Sequence, residues 1–199
     1  MPQPKGPGVL ADWTPDNLAA HSEKVEIYSN APQAELFLNG KSLGKKPRNA
    51  DDSARTWDVA FEPGTVKAVG YDASGKAVAE TTLQTAGAPA AVRLTAEGKT
   101  LQPGFDHIGY VRAEVVDAKG IVVPNATVPL SIKVSGAGSL AAADNGSPTD
   151  HTAFASAERT TWQGHALIMV RATGTSGAIT VDASAPGLKA GAATFTAKP

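Results

Sequence analysis

The chain has 199 residues with 18 basic and 19 acidic side chains, and its formal charge of −1 gives no electrostatic reason to expect nucleic acid or an anionic membrane as a partner. It contains no cysteine, which excludes disulfides and thiolate metal sites but leaves the compartment open. No run approaches the ~18 consecutive apolar residues of a spanning helix, so no membrane insertion is expected. Many short alternating runs, in a chain with 20 Gly and 14 Pro, predict an all-β fold.

The predicted elements begin after residues 1–21, a segment rich in Pro, Gly and Ala without alternation, where we expect a tail or linker. The next stretch, Val25–Gly44, has apolar residues at every second position on both sides of a break at Pro32. A side-chain period of two is the strand period. Asn39-Gly40 then supplies two residues that tolerate a positive φ, which predicts a tight hairpin turn.

The first domain is predicted to cover residues 22–87, and its later part follows the same pattern. Trp57, Val59 and Phe61 alternate on one heavy apolar face, so we expect the Trp57 ring to lie in the core. After the turn, residues 45–55 are predicted to form a polar loop. Three strands are predicted to follow, at residues 57–61, 65–71 and 77–85.

The second domain is predicted to cover residues 88–199. Its expected strands are marked by apolar alternation or by flanking turn residues, and they lie near residues 92–96, 111–115, 130–134, 166–172, 178–184 and up to 197. A bend is predicted at residues 136–140, and the longest irregular segment is predicted at residues 141–157.

Several stretches of the sequence resemble a known family. YSNAPQAELFLNGKSLG and WDVAFEPGTVKAVGYDASGKAVAETTLQTAG are similar to the fourth domain of many β-galactosidase-like enzymes of glycoside hydrolase family two. YVRAEVVDAKGIVVPNA and WQGHALIMVRATGTSGAITVDASAPGL are similar to the terminal domain of the same enzymes. These matches keep their order along nearly the whole chain. The resemblance implies two consecutive immunoglobulin-like β-sandwich domains that follow a catalytic barrel.

The resemblance also implies that this chain is not itself the catalyst. In the family, two glutamates at strand ends of a (β/α)₈ barrel hydrolyse the glycoside, and a barrel needs ~250 residues with alternating strands and helices. That pattern is missing here, so no catalytic residue is carried over and no cofactor is expected. We expect an accessory module whose partners are the catalytic and N-terminal domains of its own parent enzyme. Two alternatives stay open, an independent carbohydrate-binding module and a structural or adhesive spacer on a bacterial surface.

Trp13 is the exception within the predicted tail. In the related enzymes a loop that contains tryptophan often precedes the first strand of this region. Trp13 is therefore either the remnant of that loop or a ring that packs locally on the first sandwich. The sequence leaves both interpretations open.

Two groups of acidic loop residues are candidates for a metal site. Asp144, Asp150 and His151 share one loop, and Asp51-Asp52 lie in another. Their spacing matches neither an EF-hand loop nor a zinc motif. A turn capped by the Asp144 side chain is the expected structure, and no metal is expected in either loop.

Aromatic rings are the candidates for carbohydrate binding, because the face of a ring can stack on a pyranose. Tyr28 and Phe37 alternate away from the aliphatic positions of their strands, and Trp162 lies at a strand edge. If the strands of Tyr28 and Phe37 pair, the two rings lie together on an outer face. Because a large exposed apolar pair usually marks an interface, an interface within the parent protein is favoured over a sugar site.

Overall fold

The computed structural model describes residues 11–199, and this part of the chain contains fifteen β-strands and no helix. The prediction of an all-β fold is confirmed. The strands form four sheets, and the chain divides into two compact units between Thr85 and Ala86. Each unit is built from two sheets that enclose apolar side chains, which is the sandwich arrangement.

The described part of the first unit contains six strands, which are β1 (Ser22–Ile27), β2 (Gln33–Leu38), β3 (Lys41–Pro47), β4 (Arg55–Ala60), β5 (Thr65–Tyr71) and β6 (Ala77–Gln84). β1 pairs with β4 in a small antiparallel sheet. The other four strands form an antiparallel sheet in the order β3-β2-β5-β6. The core between these sheets includes Leu36 from β2, Val66 from β5, and Trp57 and Val59 from β4. Trp57 is only 5% exposed, so its predicted place in the core is confirmed.

The predicted hairpin turn at Asn39-Gly40 is confirmed. Asn39 has φ of 49° and Gly40 has φ of 81°, the pair of positive angles that a tight turn between twisted strands requires. The Asn39 side chain has a second use, because its Oδ1 accepts the Thr65 backbone N–H at 2.8 Å and its Nδ2 donates to the Pro63 carbonyl at 3.3 Å. Asn39 therefore fixes both the β2–β3 turn and the turn that leads into β5.

Trp13 packs locally on the first unit, as the second of its two interpretations expects. The ring is 4% exposed and lies 5.2 Å from the Phe61 ring, centroid to centroid. Its Nε1 donates to the Glu62 carbonyl at 3.1 Å, and its own carbonyl accepts from the Thr85 hydroxyl at 2.9 Å. A buried tryptophan usually finds a hydrogen-bond partner for its N–H, and for Trp13 the first unit supplies both burial and a partner.

The second unit has nine strands, which are β7 (Pro89–Ala96), β8 (Thr100–Leu101), β9 (Gly109–Asp117), β10 (Pro129–Gly136), β11 (Gly138–Asp144), β12 (Glu158–Thr160), β13 (His165–Ala172), β14 (Gly177–Ser184) and β15 (Gly191–Ala197). They form a sheet in the order β12-β10-β14-β15-β8 and a sheet in the order β11-β13-β9-β7. β15 and β8 are parallel, and the other strand pairs in these sheets are antiparallel. Val111, Ile168 and Ile179 are fully buried between the sheets.

Two loop predictions were wrong in part. Gly138–Asp144 is a strand, whereas the sequence predicted a bend and the start of an irregular segment. Its residues are mostly Gly, Ala and Ser, too small to show an apolar period, and a register shift between Leu140 and Ala142 breaks the alternation further. The polar segment after the first hairpin is also shorter than predicted, because β3 extends to Pro47. Charged side chains on the solvent side of an edge strand explain that error.

Candidate functional site

Phe37 and Tyr28 do not share a surface, because their strands do not pair. Tyr28 follows β1, which pairs with β4, whereas Phe37 lies in β2, within the four-stranded sheet. Tyr28 is 72% exposed and its hydroxyl donates to Glu26 at 2.7 Å. The condition for a joint Tyr28–Phe37 platform is therefore not met. Pairing between distant strands decides this point, and alternation within a strand gives no information about it.

The outer face of the four-stranded sheet contains a groove with a volume of about 500 Å³. Phe37 alternates with the buried Leu36 and Leu38, so its ring points away from the core. Its neighbours on the same face are Lys67 directly opposite on β5 and, further along that strand, Val69 and Tyr71. The residues that line the groove are Phe37, Gly40, Thr65, Lys67, Val69, Tyr71, Ala77 and Glu80.

Two irregularities in strand pairing flank the groove. The register of β2 against β3 shifts between Glu35 and Phe37, and that of β5 against β6 shifts between Gly70 and Tyr71. A bulge adds twist and bends the strand, and it changes the direction in which nearby side chains point. The groove residues Phe37 and Tyr71 are each next to one of these shifts.

Glu35 is the fixed polar centre beside the groove. Its Oε1 accepts from the Ser42 hydroxyl at 2.6 Å and its Oε2 accepts from the Tyr71 hydroxyl at 2.8 Å. These two hydrogen bonds, first that from Ser42 and then that from Tyr71, lower the pKa of Glu35 against the opposing effect of burial, and the charge of Lys45 lowers it further. Lys45 Nζ lies 3.8 Å from Glu35 Oε2 and 3.6 Å above the Tyr71 ring. The Tyr71 ring is thus held by its hydroxyl and by a cation on one face.

A second ion pair crosses the groove itself. Lys67 Nζ lies 2.7 Å from Glu80 Oε2, and both side chains are partly exposed. The groove therefore combines an apolar floor of Phe37 and Val69, an anchored Tyr71 ring, and one ammonium donor beside one carboxylate acceptor. This arrangement can contact the flat apolar face of a ligand and form hydrogen bonds with the edge of that ligand. The opposite charges of Lys67 and Glu80 cancel.

Trp162 lies in the second unit, at a hairpin of its own. Its backbone N–H donates to the His165 carbonyl at 2.9 Å, and the turn between them uses positive φ at Gln163 and Gly164. The ring is 39% exposed, and its six-membered edge lies beside Gly146. One side of Trp162 is therefore packed and the other is open to solvent. Carbohydrate binding at Trp162, as at Tyr28, stays a proposal.

The loop with Asp144, Asp150 and His151 is held together by internal bonds. Asp144 Oδ1 accepts the backbone N–H groups of Asn145 at 2.7 Å and Gly146 at 3.2 Å, which is the predicted capped turn. Asp150 Oδ2 accepts from the Asn145 amide at 2.7 Å and lies 3.3 Å from the buried Arg159 guanidinium. The backbone hydrogen bond from Thr152, then its hydroxyl and Arg159, lower the pKa of Asp150 to about 2.

The other acidic pair is also engaged. Asp52 lies against Arg48 in an exposed ion pair, and Asp51 accepts the Ser53 backbone N–H at 3.1 Å. Within residues 11–199, no group of three or more His, Asp or Glu side chains is arranged to hold a metal ion. A search of the same residues finds no helix long and apolar enough to cross a membrane.

Sequence reasoning singled out Phe37 but missed the polar and aliphatic residues of the groove. Lys67, Val69 and Tyr71 were placed on a strand with the correct bounds, and the alternation already assigned Val69 and Tyr71 to the face opposite Val66. The missing information was that β5 lies directly beside β2. The available signal for a shared surface was that both β2 and β5 carry aromatic and charged residues at positions that face away from the core.

Comparison with known families assigns most of the chain. Residues 66–194 match the model of the glycoside hydrolase family 2 C-terminal domain 5. Residues 22–79 match a second family model that is described as a domain of unknown function.

Curated relatives are longer proteins. A β-galactosidase from Bacteroides ovatus is 35% identical over 181 residues, which cover 89% of this chain and 20% of that protein. A putative β-glucuronidase from Formosa agariphila is 32% identical over 147 residues, which cover 72% of this chain and 14% of that protein. The chain thus spans about a fifth or less of the length of these two relatives.

Solved structures give the same result. A glycosyl hydrolase family 2 member from Bacteroides cellulosilyticus aligns with a TM-score of 0.89 and 33% identity, over 98% of this chain and 25% of that one. A β-glycosidase from Bacteroides vulgatus aligns with a TM-score of 0.88 and 30% identity, over 94% of this chain and 24% of that one. Both similarities cover nearly the whole of this chain.

Proposed function

This chain belongs to glycoside hydrolase family 2, in its C-terminal region, and from that premise we propose that it is a non-catalytic accessory module of a β-galactosidase-like enzyme. The observation that carries the proposal is the coverage. Nearly all of this chain aligns with only a fifth to a quarter of two such proteins. The remaining length of those relatives has no counterpart here.

The architecture supports a non-catalytic role. A (β/α)₈ barrel needs eight parallel strands, each followed by a helix, and carries its catalytic residues at the strand ends. The strands described in residues 11–199 are instead paired almost entirely antiparallel, and they fill the cores of two sandwiches. Retaining hydrolysis also needs two carboxyl groups about 5–5.5 Å apart across a bound sugar. Glu35 and Glu80, which lie beside the groove, are already engaged by Ser42 and Tyr71 and by Lys67.

The parent enzyme would hydrolyse β-galactosides or related O-glycosides, and this module would pack on or near its barrel. The names of the relatives support that range of substrates, since one is a β-galactosidase and another a putative β-glucuronidase. Surface rings such as Tyr28 and Trp162 would be candidates for contact with the other domains, because partly exposed aromatic residues are enriched at interfaces.

The proposal predicts that the chain alone turns over no glycoside. We would express it in a host that lacks β-galactosidase and β-glucuronidase, and incubate it with chromogenic β-galactoside and β-glucuronide substrates. A full-length family 2 enzyme from the same host serves as the positive control. Release of the chromophore that remains proportional to the chain through successive purification steps would contradict the proposal.

A further inference from the structure

We propose that the groove on the four-stranded sheet of the first unit is a binding site for a neutral oligosaccharide, with Phe37 and Tyr71 as its two aromatic contacts. The proposal concerns residues 33–80 and depends on no catalytic step. The choice of a carbohydrate among neutral ligands rests in part on the proposed function.

The dimensions fit an oligosaccharide rather than a single sugar. Phe37 lies opposite Lys67, and Tyr71 lies four residues further along β5, so the two ring positions are about 13 Å apart at the usual rise per strand residue. Val69 lies between them on the same face. The volume of about 500 Å³ is within the range of small-molecule sites. The lining therefore follows β5 from Thr65 to Tyr71, and its two aromatic residues stand at separate positions along it.

The charges favour a neutral ligand with many hydroxyl groups. Lys67 and Glu80 form an ion pair at 2.7 Å, and Lys45 and Glu35 approach to 3.8 Å, so each cation has an anion beside it. An anionic or cationic ligand would meet both signs of charge. Neighbouring hydroxyl groups, in contrast, can donate to a carboxylate and accept from an ammonium at the same time, which the Lys67–Glu80 pair offers.

The same charges disfavour a protein domain as the occupant. Interface cores are depleted in charged residues, because burying an ion pair removes hydration that its own attraction often fails to replace. Here the Lys67–Glu80 pair belongs to the groove lining itself. A sugar keeps such groups hydrogen-bonded through its hydroxyls, so it avoids that cost.

The site is also held in place before any ligand binds. The Tyr71 hydroxyl donates to Glu35 at 2.8 Å, Ser42 holds the same carboxylate at 2.6 Å, and Lys45 lies 3.6 Å over the Tyr71 ring. Lys45 and Glu35 do not line the groove themselves, so their role is to fix the orientation of Tyr71. A preorganised ring loses little conformational entropy on binding.

The test is a titration of the isotope-labelled chain with a panel of neutral β-linked trisaccharides of galactose, glucose, mannose and xylose, followed by nuclear magnetic resonance. Concentrations must reach about 10 mM, because a weak site with a Kd near ~1 mM, or only about −4 kcal/mol, saturates only in that range. We expect saturable shifts at Phe37, Lys67 and Tyr71 with at least one member of the panel. A trisaccharide of galacturonic acid should bind more weakly than the best neutral ligand.

Variants locate the site. Phe37→Ala should weaken binding by about tenfold, since it removes one ring contact. Tyr28→Ala is the matched control, because it removes a more exposed ring from the segment that follows β1, and it should leave binding unchanged. Phe37 lies outside the core cluster, and circular dichroism of each variant checks that the fold is retained.

Three results would overturn the proposal: no saturable shift across the neutral panel, tighter binding of the acidic trisaccharide, or shifts that survive in Phe37→Ala and centre on Tyr28 or Trp162. None of these would bear on whether the chain hydrolyses a glycoside. A negative result for oligosaccharide binding at the groove can therefore be distinguished from a negative result for the proposed accessory function.

Discussion

Replacement of Trp57 by alanine should destabilise the first unit by about 3–5 kcal/mol, the usual cost of removing a large buried aromatic side chain. Trp57 is 5% exposed and packs with Leu36, Val59 and Val66 between the two sheets of that unit. Val25 lies directly opposite it on β1. The substitution removes the ring and leaves a cavity that rigid strands on both sides cannot close.

Trp57→Phe is the matched control. The Trp57 Nε1 is buried and makes no hydrogen bond to the described residues, so phenylalanine loses volume but no polar partner. Urea unfolding, followed through resolved signals of the first unit, measures both variants separately from the second unit. Equal stability of Trp57→Ala and the parent would show that the ring is not part of the core, and Trp57 would then become a further candidate for sugar contact.

Replacement of Arg55 by alanine should cost about 3 kcal/mol or more, because buried carbonyls that lose their donor cost about 1–3 kcal/mol each. Arg55 is 3% exposed at the start of β4. Its Nε donates to the Pro47 carbonyl at 2.9 Å, and its two terminal nitrogens donate to the carbonyls of Ser29 and Ala31. One side chain thus joins the end of β3 and the β1–β2 connection to β4.

Arg55→Lys tests whether the forked geometry matters. Lysine keeps the charge but cannot present the planar set of donors, so its stability should lie between those of the parent and of Arg55→Ala. Arg48→Ala is the control, since the Arg48 side chain is half-exposed and its ion pair is with the exposed Asp52. It should leave the urea midpoint nearly unchanged. If Arg55→Ala unfolds at the same midpoint as Arg48→Ala, the guanidinium does not stabilise this junction.

Strands with large alternating side chains could be predicted from the sequence. Thr65–Tyr71 was predicted with its observed bounds, because Val66 and Ala68 fall on one face, Val69 and Tyr71 fall on the other, and Pro63-Gly64 precedes the strand. Gly138–Asp144 could not be predicted, because small side chains carry no period and its pairing with β13 depends on residues almost thirty positions away. Alternation along the sequence thus identifies strands that have large apolar side chains on one face. It misses strands of small residues that form through pairing with a neighbouring strand.

Long-range contacts explain the other errors. Arg55 looks like a surface residue in the sequence, yet it is buried, and the carbonyls of Ser29 and Ala31, more than twenty residues earlier, accept its N–H groups. Trp13 lies in a segment without pattern, and its burial depends on Phe61 and Glu62. The groove likewise exists because β5 lies beside β2, and the order of strands in a sheet cannot be deduced from alternation within each strand.

The most direct test of the central claim, that this chain is an accessory module of a family 2 glycoside hydrolase, is to sequence the genomic DNA upstream of the codon for Met1. We expect the same reading frame to continue upstream. It should encode alternating strands and helices of a (β/α)₈ barrel with two glutamates at strand ends. A frame that is closed by a stop codon immediately upstream, or one that encodes only further β-sandwiches, would contradict the account.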